Sequence, residues 1–173
     1  MFITGPSVIK QVTGEEVDSD RLGGADAHMS VSGVNHFVAD DDEQAILIAK
    51  KLLSFLPQNN NEEPPLVDGD YSVDYDPSLH DIVPVDGKQG YDVREVIAKV
   101  VDYGDFLEVQ AGYAANIVVG FAHINGRSVG IVANQPNVMA GVLDINSSDK
   151  GSKFVRFCNA FNIPIVTFVD VPG

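Results

Sequence analysis

Asn116-Ile117-Val118-Val119-Gly120-Phe121-Ala122-His123-Ile124-Asn125-Gly126-Arg127-Ser128-Val129-Gly130-Ile131-Val132-Ala133 consists of two apolar runs flanking Asn125-Gly126. Asn-Gly tolerates the positive φ that a two-residue hairpin requires at both central positions, so residues 116–124 and 127–133 are read as paired antiparallel strands. Upstream, residues 106–109 read as a short strand. Before that strand, Asp92 is placed to cap a helix whose apolar residues Val93, Val96, Ile97, Val100 and Val101 recur at i, i+3, i+4, i+7 and i+8. Downstream, Asn146-Ser147-Ser148-Asp149 offers caps for a helix running through Phe161, and residues 163–169 read as a strand of the buried type. The order helix, strand, hairpin, helix, strand predicts an α/β fold. A buried α/β strand ordinarily leads into a further helix covering the sheet, whereas here Asp170-Val171-Pro172-Gly173 ends the sequence. The expectation is a sheet that is cut.

The N-terminal half is less regular. Pro6 opens a short helix over residues 7–12, and Gly14 stops it. Residues 15–21 are polar and read as exposed. Residues 22–36 contain three glycines and no helical period, which predicts a loop. Asp40-Asp41-Asp42-Glu43 precedes apolar Ala45, Ile46, Ile48, Ala49, Leu52, Leu53 and Leu56, with Lys50-Lys51 towards the end; that polarity suits a helix dipole, and Pro57 ends the helix. Residues 57–86 hold five prolines, eight acids and no Lys or Arg. This stretch is read as a connection in which Tyr71, Tyr75 and Leu79 pin parts of the chain to a surface. The organisation expected from composition is two lobes joined by this connection.

Composition narrows the function. The 173 residues are 45% hydrophobic and 21% charged, an ordinary globular balance. Formal charge is −14, of which residues 1–86 carry −13. So acidic a chain is a poor partner for nucleic acid or an anionic membrane. No apolar run approaches the roughly 20 residues that a membrane span needs. Cys158 is the sole cysteine, which excludes an intrachain disulfide and a cysteine-based metal site. The expected location is the cytoplasm.

The candidate site residues follow from topology. Ligands of α/β sheets sit just past the carboxyl ends of the strands. That places Asn134, Gln135 and Pro136 after one strand and Val171, Pro172 and Gly173 after the next, with amide dipoles and backbone N–H groups available to an oxyanion. Gly23-Gly24-Ala25 is not a dinucleotide fingerprint, because no strand leads into it. His28 and His36 with Asp26 match no metal-ligand spacing, and Asp40–Glu43 lacks the alternation of a calcium loop, so no metal is expected. Cys158 shares a helix face with Phe154, Val155 and Phe161 and reads as a core thiol. The Ser147-Ser148 hydroxyls read as caps, without triad partners. No catalytic residue is assigned.

Several strings together resemble the carboxyltransferase subunit of biotin-dependent acyl-CoA carboxylases, of the propionyl-CoA carboxylase beta and methylmalonyl-CoA decarboxylase alpha kind. They are Phe2-Ile3-Thr4-Gly5-Pro6, Leu22-Gly23-Gly24-Ala25 with His28, Ser32-Gly33-Val34 with His36-Phe37, Gly120-Phe121-Ala122 and Gly126-Arg127. They continue with Val129-Gly130-Ile131-Val132-Ala133-Asn134-Gln135-Pro136 and Leu143-Asp144-Ile145-Asn146-Ser147-Ser148. The last are Lys153-Phe154-Val155-Arg156-Phe157-Cys158, Phe161-Asn162-Ile163-Pro164 and Phe168-Val169-Asp170-Val171-Pro172-Gly173.

The resemblance implies a partial crotonase-like superhelix of β-β-α units. Residues 1–57 would be the tail of a first carboxyltransferase domain, 58–90 the connection, and 91–173 the front half of a second. It implies transfer of a carboxyl group between carboxybiotin and the α-carbon of a short acyl-CoA, through an enolate that backbone N–H groups stabilise. The implied partners are a second subunit completing the active site, a biotin carrier protein, and biotin carboxylase or decarboxylase subunits. The family's glycine-rich oxyanion segments would lie outside residues 1–173, so the chain is expected to be a fragment, inactive by itself, and Met1 to be an internal methionine. The alternative is a free-standing chain without catalysis that assembles with full-length subunits.

Overall fold

The computed structural model describes residues 3–69, 71 and 76–172. Its centre is a four-stranded sheet in the order β1-β2-β3-β4, formed by β1 (Phe106–Val109), β2 (Ile117–Ile124), β3 (Arg127–Asn134) and β4 (Ile165–Phe168). The first three strands are antiparallel, and β4 joins β3 in parallel. Asn125 and Gly126 take φ of 53° and 72°, as the hairpin reading requires. The turn is fixed from outside, because both oxygens of Asp102 accept its backbone N–H groups, from Asn125 at 2.9 Å and Gly126 at 2.8 Å.

Alternation along β2 sorts the core onto two faces. Ile117, Val119 and Phe121 join Phe154 and Cys158 of α7 (Ile145–Ala160) and Phe55 beyond the end of α4 (Asp42–Ser54). Val118 and Ala122, with Val129, Ile131 and Ala133 of β3, meet Val93, Ile97 and Val101 of α6 (Val93–Val100) and its end. The sheet is thus sandwiched between α6 on one face and α7 with α4 on the other. Each buried Val, Ile or Phe contributes roughly 1.5–3 kcal/mol of transfer free energy. Gly130 allows α7 its close approach: a Cβ there would lie 2.6 Å from the Cys158 Sγ.

Helix ends follow local chemistry. Asp92 caps α6 and Asp41 caps α4. The cap of α7 is Asp144, upstream of the expected Asn146–Asp149 group. Its carboxylate accepts from the Ser147 N–H at 2.8 Å while the Ser147 hydroxyl accepts from the Asp144 N–H at 2.7 Å. Ser147 is therefore a capping hydroxyl, as its sequence context suggests.

Two expectations are corrected. Residues 22–36 are not all loop: α2 (Ser19–Gly23) and α3 (Ala25–Ser30) follow α1 (Pro6–Thr13), with α2 capped by Asp18. Helices of five and six residues are too short to display a 3.6-residue period. β4 is half exposed rather than of the buried type, since Thr167 faces solvent and, among the described residues, β3 is its only neighbour. The acidic stretch after Pro57 is irregular but tethered. Leu66 bridges to Arg127, Val67 N–H donates to Gly126 at 2.9 Å, and the Tyr71 hydroxyl donates to the Val67 carbonyl at 2.6 Å. Leu79 opens the short helix α5 (Leu79–Ile82), whereas Tyr75 lies outside the described residues. Phe37, Leu52, Phe55 and Leu56, from the segment ahead of this stretch, pack into the core built by residues 91–173.

Candidate functional site

Because β3 and β4 run parallel, with Ala133 beside Phe168, their carboxyl ends open on the same side of the sheet. A cavity of about 300 Å³ lies there. Pro136 follows β3, Asp170, Val171 and Pro172 follow β4, and Gly90 and Tyr91 lead into α6; all of them line it. The Tyr91 hydroxyl donates to Asp170 Oδ2 at 2.9 Å, which ties the α6 entry to the loop after β4. Burial, then the hydrogen bond to Asp170 and its negative charge, push the Tyr91 hydroxyl up to about 12, so it stays a neutral donor. Gly90 permits the tight join between walls, since a Cβ there would sit 2.6 Å from Asn137 Oδ1. Gly141, at φ 76°, packs the turn carrying Ala140 against the Asp170 carbonyl, leaving 2.5 Å for a Cβ.

The sequence-predicted residues divide into two groups. Pro136, Val171 and Pro172 come together on the cavity wall. Gly173 lies outside the described residues. Asn134 and Gln135 stand behind the wall, and their side-chain amides are engaged within the protein rather than offered to a ligand. Asn134 Nδ2 donates to the Gly141 carbonyl at 2.8 Å. Gln135 is 1% exposed. Its Nε2 donates to Asp92 Oδ1 at 2.7 Å, its Oε1 accepts from the Val93 N–H at 3.2 Å, and its backbone N–H donates to the Asn116 carbonyl at 3.0 Å. Burial works to raise the Asp92 pKa, yet hydrogen bonds from Gln135 and the Arg94 N–H, with the Arg94 charge, hold the carboxyl below its ordinary value. Arg94 in turn grips Glu108 of β1 through two bonds of 2.7 and 2.8 Å. Gln135 thereby locks the start of α6 to the end of β3.

Sequence reasoning missed the other half of the cavity. Val83, Pro84, Gly87, Lys88 and Gln89, placed in the linker by composition, line it together with Tyr91. The available signal was Gly90-Tyr91 directly before the Asp92 cap, a close-approach glycine next to an aromatic with a polar tip. The wall is about half polar and half apolar, with Lys88, Gln89, Tyr91 and Asp170 supplying its polar side chains. That mixture suits a ligand with an apolar ring face and neutral polar edges.

The remaining motifs have local roles. His28 Nδ1 lies 2.9 Å from Ser32 Oγ, and burial, then the Lys153 charge, lower the pKa of His36. Among the described residues no cluster of three His, Cys, Asp or Glu is arranged to hold a metal ion, and no helix is long and apolar enough to cross a membrane. Cys158 is fully buried, and burial pushes its thiol up to about 11.

Comparison with known proteins agrees with the family-type strings in the sequence. Residues 1–173 match the carboxyl transferase domain family. The methylmalonyl-CoA carboxyltransferase 12S subunit of Propionibacterium freudenreichii subsp. shermanii is 68% identical over 173 residues, covering 100% of this chain and 33% of that protein. The methylmalonyl-CoA decarboxylase subunit alpha of Veillonella parvula is 59% identical over 174 residues, covering 100% of this chain and 34% of that one. The chain spans about a third of the length of these relatives. A crystal structure of the transcarboxylase 12S hexamer, with hydrolysed methylmalonyl-coenzyme A bound, superposes with a TM-score of 0.97 at 68% identity, over 100% of this chain and 34% of that one.

Proposed function

The chain belongs to the carboxyl transferase domain family, with that family's crotonase-like fold, and on that premise we propose that it forms one wall of a carboxyl-transfer cleft. The substrate would be a short acyl-CoA of the propionyl or methylmalonyl type, with biotin on a partner protein as the other participant. The observation carrying this reading is the cavity at the carboxyl ends of the parallel pair β3 and β4, bounded by Pro136, Tyr91, Val171 and Pro172. We assign the complete subunit to a homo-oligomer served by a biotin carrier and by carboxylase or decarboxylase subunits, working in the cytoplasm.

The neutral part of the lining supports the uncharged fused rings of biotin as the occupant, with Lys88 and Asp170 as the charged groups beside it. Val83, Pro84, Pro136, Val171 and Pro172 supply apolar surface, while Tyr91 and Gln89 are the neutral polar groups. When bound, carboxybiotin supplies the activated carboxyl group. The chain's own contribution is placement and electrostatics. Pro136 and Pro172 fix φ on the two loops and so stiffen the wall. The Tyr91–Asp170 bond holds the loop after β4 at a fixed distance from α6. Lys88 places a positive charge at the wall, where an anionic carboxyl passes. Neither a nucleophile nor a general base is needed from these residues, because an enolate is stabilised by dipoles already oriented towards it.

The test is a titration of the complete subunit containing these residues with biotin methyl ester, followed by methyl-resolved NMR. The methyl signals of Val171 shift in a saturable way, whereas those of Val155 on α7 do not. Unmoved Val171 signals at saturating ligand overturn the assignment.

A further inference from the structure

Lys150 lies inside the protein, 1% exposed, and makes no ion pair among the described residues. Its Nζ is surrounded by backbone oxygens: Tyr113 at 2.7 Å, Ile117 at 2.9 Å, Gln110 at 3.0 Å and Ala114 at 3.4 Å. All four carbonyls belong to the connection between β1 and β2 and its junction with β2. An ammonium has three donors and accepts nothing, so three short bonds and a longer fourth saturate it. Four carbonyl dipoles aimed at one point repel one another unless a cation sits between them. The backbone is bent to aim them: Gln110 and Ala114 hold φ of 53° and 45°, the left-handed region that residues with a Cβ rarely occupy. Burial, opposed by the Glu108 charge and reinforced by Arg94, draws the Lys150 pKa down to about 8, which still leaves it protonated at neutral pH.

The loop so held grips two other parts of the molecule. The Gln110 N–H donates to the His36 carbonyl at 2.9 Å, and its side-chain amide donates to the Gly33 carbonyl. Gly33 lies flat on the Tyr113 ring, and Gly112 lies against the Met29 side chain. At its other end the Asn116 carbonyl accepts the Gln135 N–H at 3.0 Å. The loop is thus the seat for residues 29–36 and the rear anchor of Gln135.

We propose that Lys150 is a positioning residue acting as the built-in occupant of a monovalent-cation site, and that this caged cation sets the 110–117 loop that seats residues 29–36. The cage recognises charge and size. Emptied of its side chain, it accepts a free monovalent cation of ammonium or potassium size. This inference is independent of the carboxyl-transfer reading, since it concerns the loop's own conformation.

The test is Lys150→Ala, melted at constant ionic strength in ammonium, potassium, lithium or tetramethylammonium chloride, with hydrogen exchange of the Gln110 amide followed in each. Ammonium or potassium raises the melting midpoint saturably and restores at least part of a roughly 10-fold or greater loss of Gln110 protection, the exchange signature of local opening. Lithium and tetramethylammonium do neither, and the unsubstituted chain shows no such selectivity. Equal responses to all four cations, or full Gln110 protection in Lys150→Ala without any of them, overturn the proposal. Should Lys150→Ala fail to fold in every salt, 15N NMR of the unsubstituted chain at neutral pH decides. A slowly exchanging Lys150 ammonium signal supports the cage, and a neutral or rapidly exchanging amine overturns it.

Discussion

Gln135→Leu separates an internal lock from a ligand-facing amide. The substitution preserves side-chain bulk at a position 1% exposed and removes both polar atoms. Three hydrogen bonds are lost, the longest being that from the Asn137 N–H to Oε1 at 3.4 Å. The Val93 N–H, which donates to Oε1 at 3.2 Å, becomes a buried donor without a partner, at a cost of roughly 1–3 kcal/mol. The 2.7 Å bond to the Asp92 carboxylate is charge-assisted, and its loss costs roughly 1.5–3 kcal/mol. Asp92 keeps the Arg94 N–H at 2.9 Å, so its charge is not abandoned. The two stronger terms sum to about 2.5–6 kcal/mol, and a loss of about 4 kcal/mol lowers the urea midpoint by about 2 M for a slope near 2 kcal/mol/M. The melting midpoint falls by roughly 10 °C for a chain of this length. The assay is urea unfolding of Gln135→Leu, Asp92→Ala and the double variant. On the Asp92→Ala background, Gln135→Leu should cost only the share of the Val93 and Asn137 N–H groups, giving a coupling of about 1.5–3 kcal/mol. A loss below about 1 kcal/mol, unchanged on the Asp92→Ala background, refutes the lock.

Three further predictions concern the core. Phe55→Ala removes a ring that is 1% exposed and stacks on His123 at 4.6 Å and Phe121 at 5.8 Å, so denaturant unfolding should show a loss of about 3–5 kcal/mol in one cooperative transition. Gly130→Ala forces a methyl to within 2.6 Å of Cys158 Sγ and should cost about 1–3 kcal/mol, and Cys158→Ala in the same chain should recover part of that loss. Cys158 titrates near 11 when folded and near 9 when exposed. Across that window the unfolded state loses its proton first, so this group's contribution to stability is complete below pH 9 and declines as pH rises through 11. At pH 8 its alkylation by iodoacetamide should therefore follow the unfolding rate, and prompt labelling under native conditions would contradict the buried thiol.

The parts of the fold legible in the sequence were those whose signals are local. Asn125-Gly126 between alternating apolar runs marks the hairpin because turn geometry and pleat are short-range properties. The stripe Val93, Ile97, Val101 likewise announces the buried face of α6. Residues 19–30 escaped because two one-turn helices sharing Gly24 as a cap carry no period to detect. The sequence does not single out the α7 cap, because residues 144–149 are dense in capping side chains and only the reciprocal bonds of Asp144 and Ser147 choose among them. In the site, strand order put Pro136, Val171 and Pro172 on one rim, a consequence of topology that a sequence can convey. The inward turn of Gln135 depends on partners 42 and 43 residues away, and no local pattern reports it. The wall from Val83 to Gln89 was hidden for the opposite reason. Proline, glycine and acid density reads as connection even where the chain is held against a cavity.

Everything proposed of the chemistry depends on the cavity beside Val171 being part of the carboxyl-transfer cleft. The most direct test is isotopic carboxyl exchange between methylmalonyl-CoA and biotin, catalysed by the complete subunit carrying Val171→Trp, with exposed Lys10→Ala as the control. Filling the cavity should lower the exchange rate by about 100-fold, the effect of displacing a reactant by about an ångström, at an unchanged melting midpoint and with Lys10→Ala fully active. Undiminished exchange by folded Val171→Trp would place the chemistry elsewhere in the subunit.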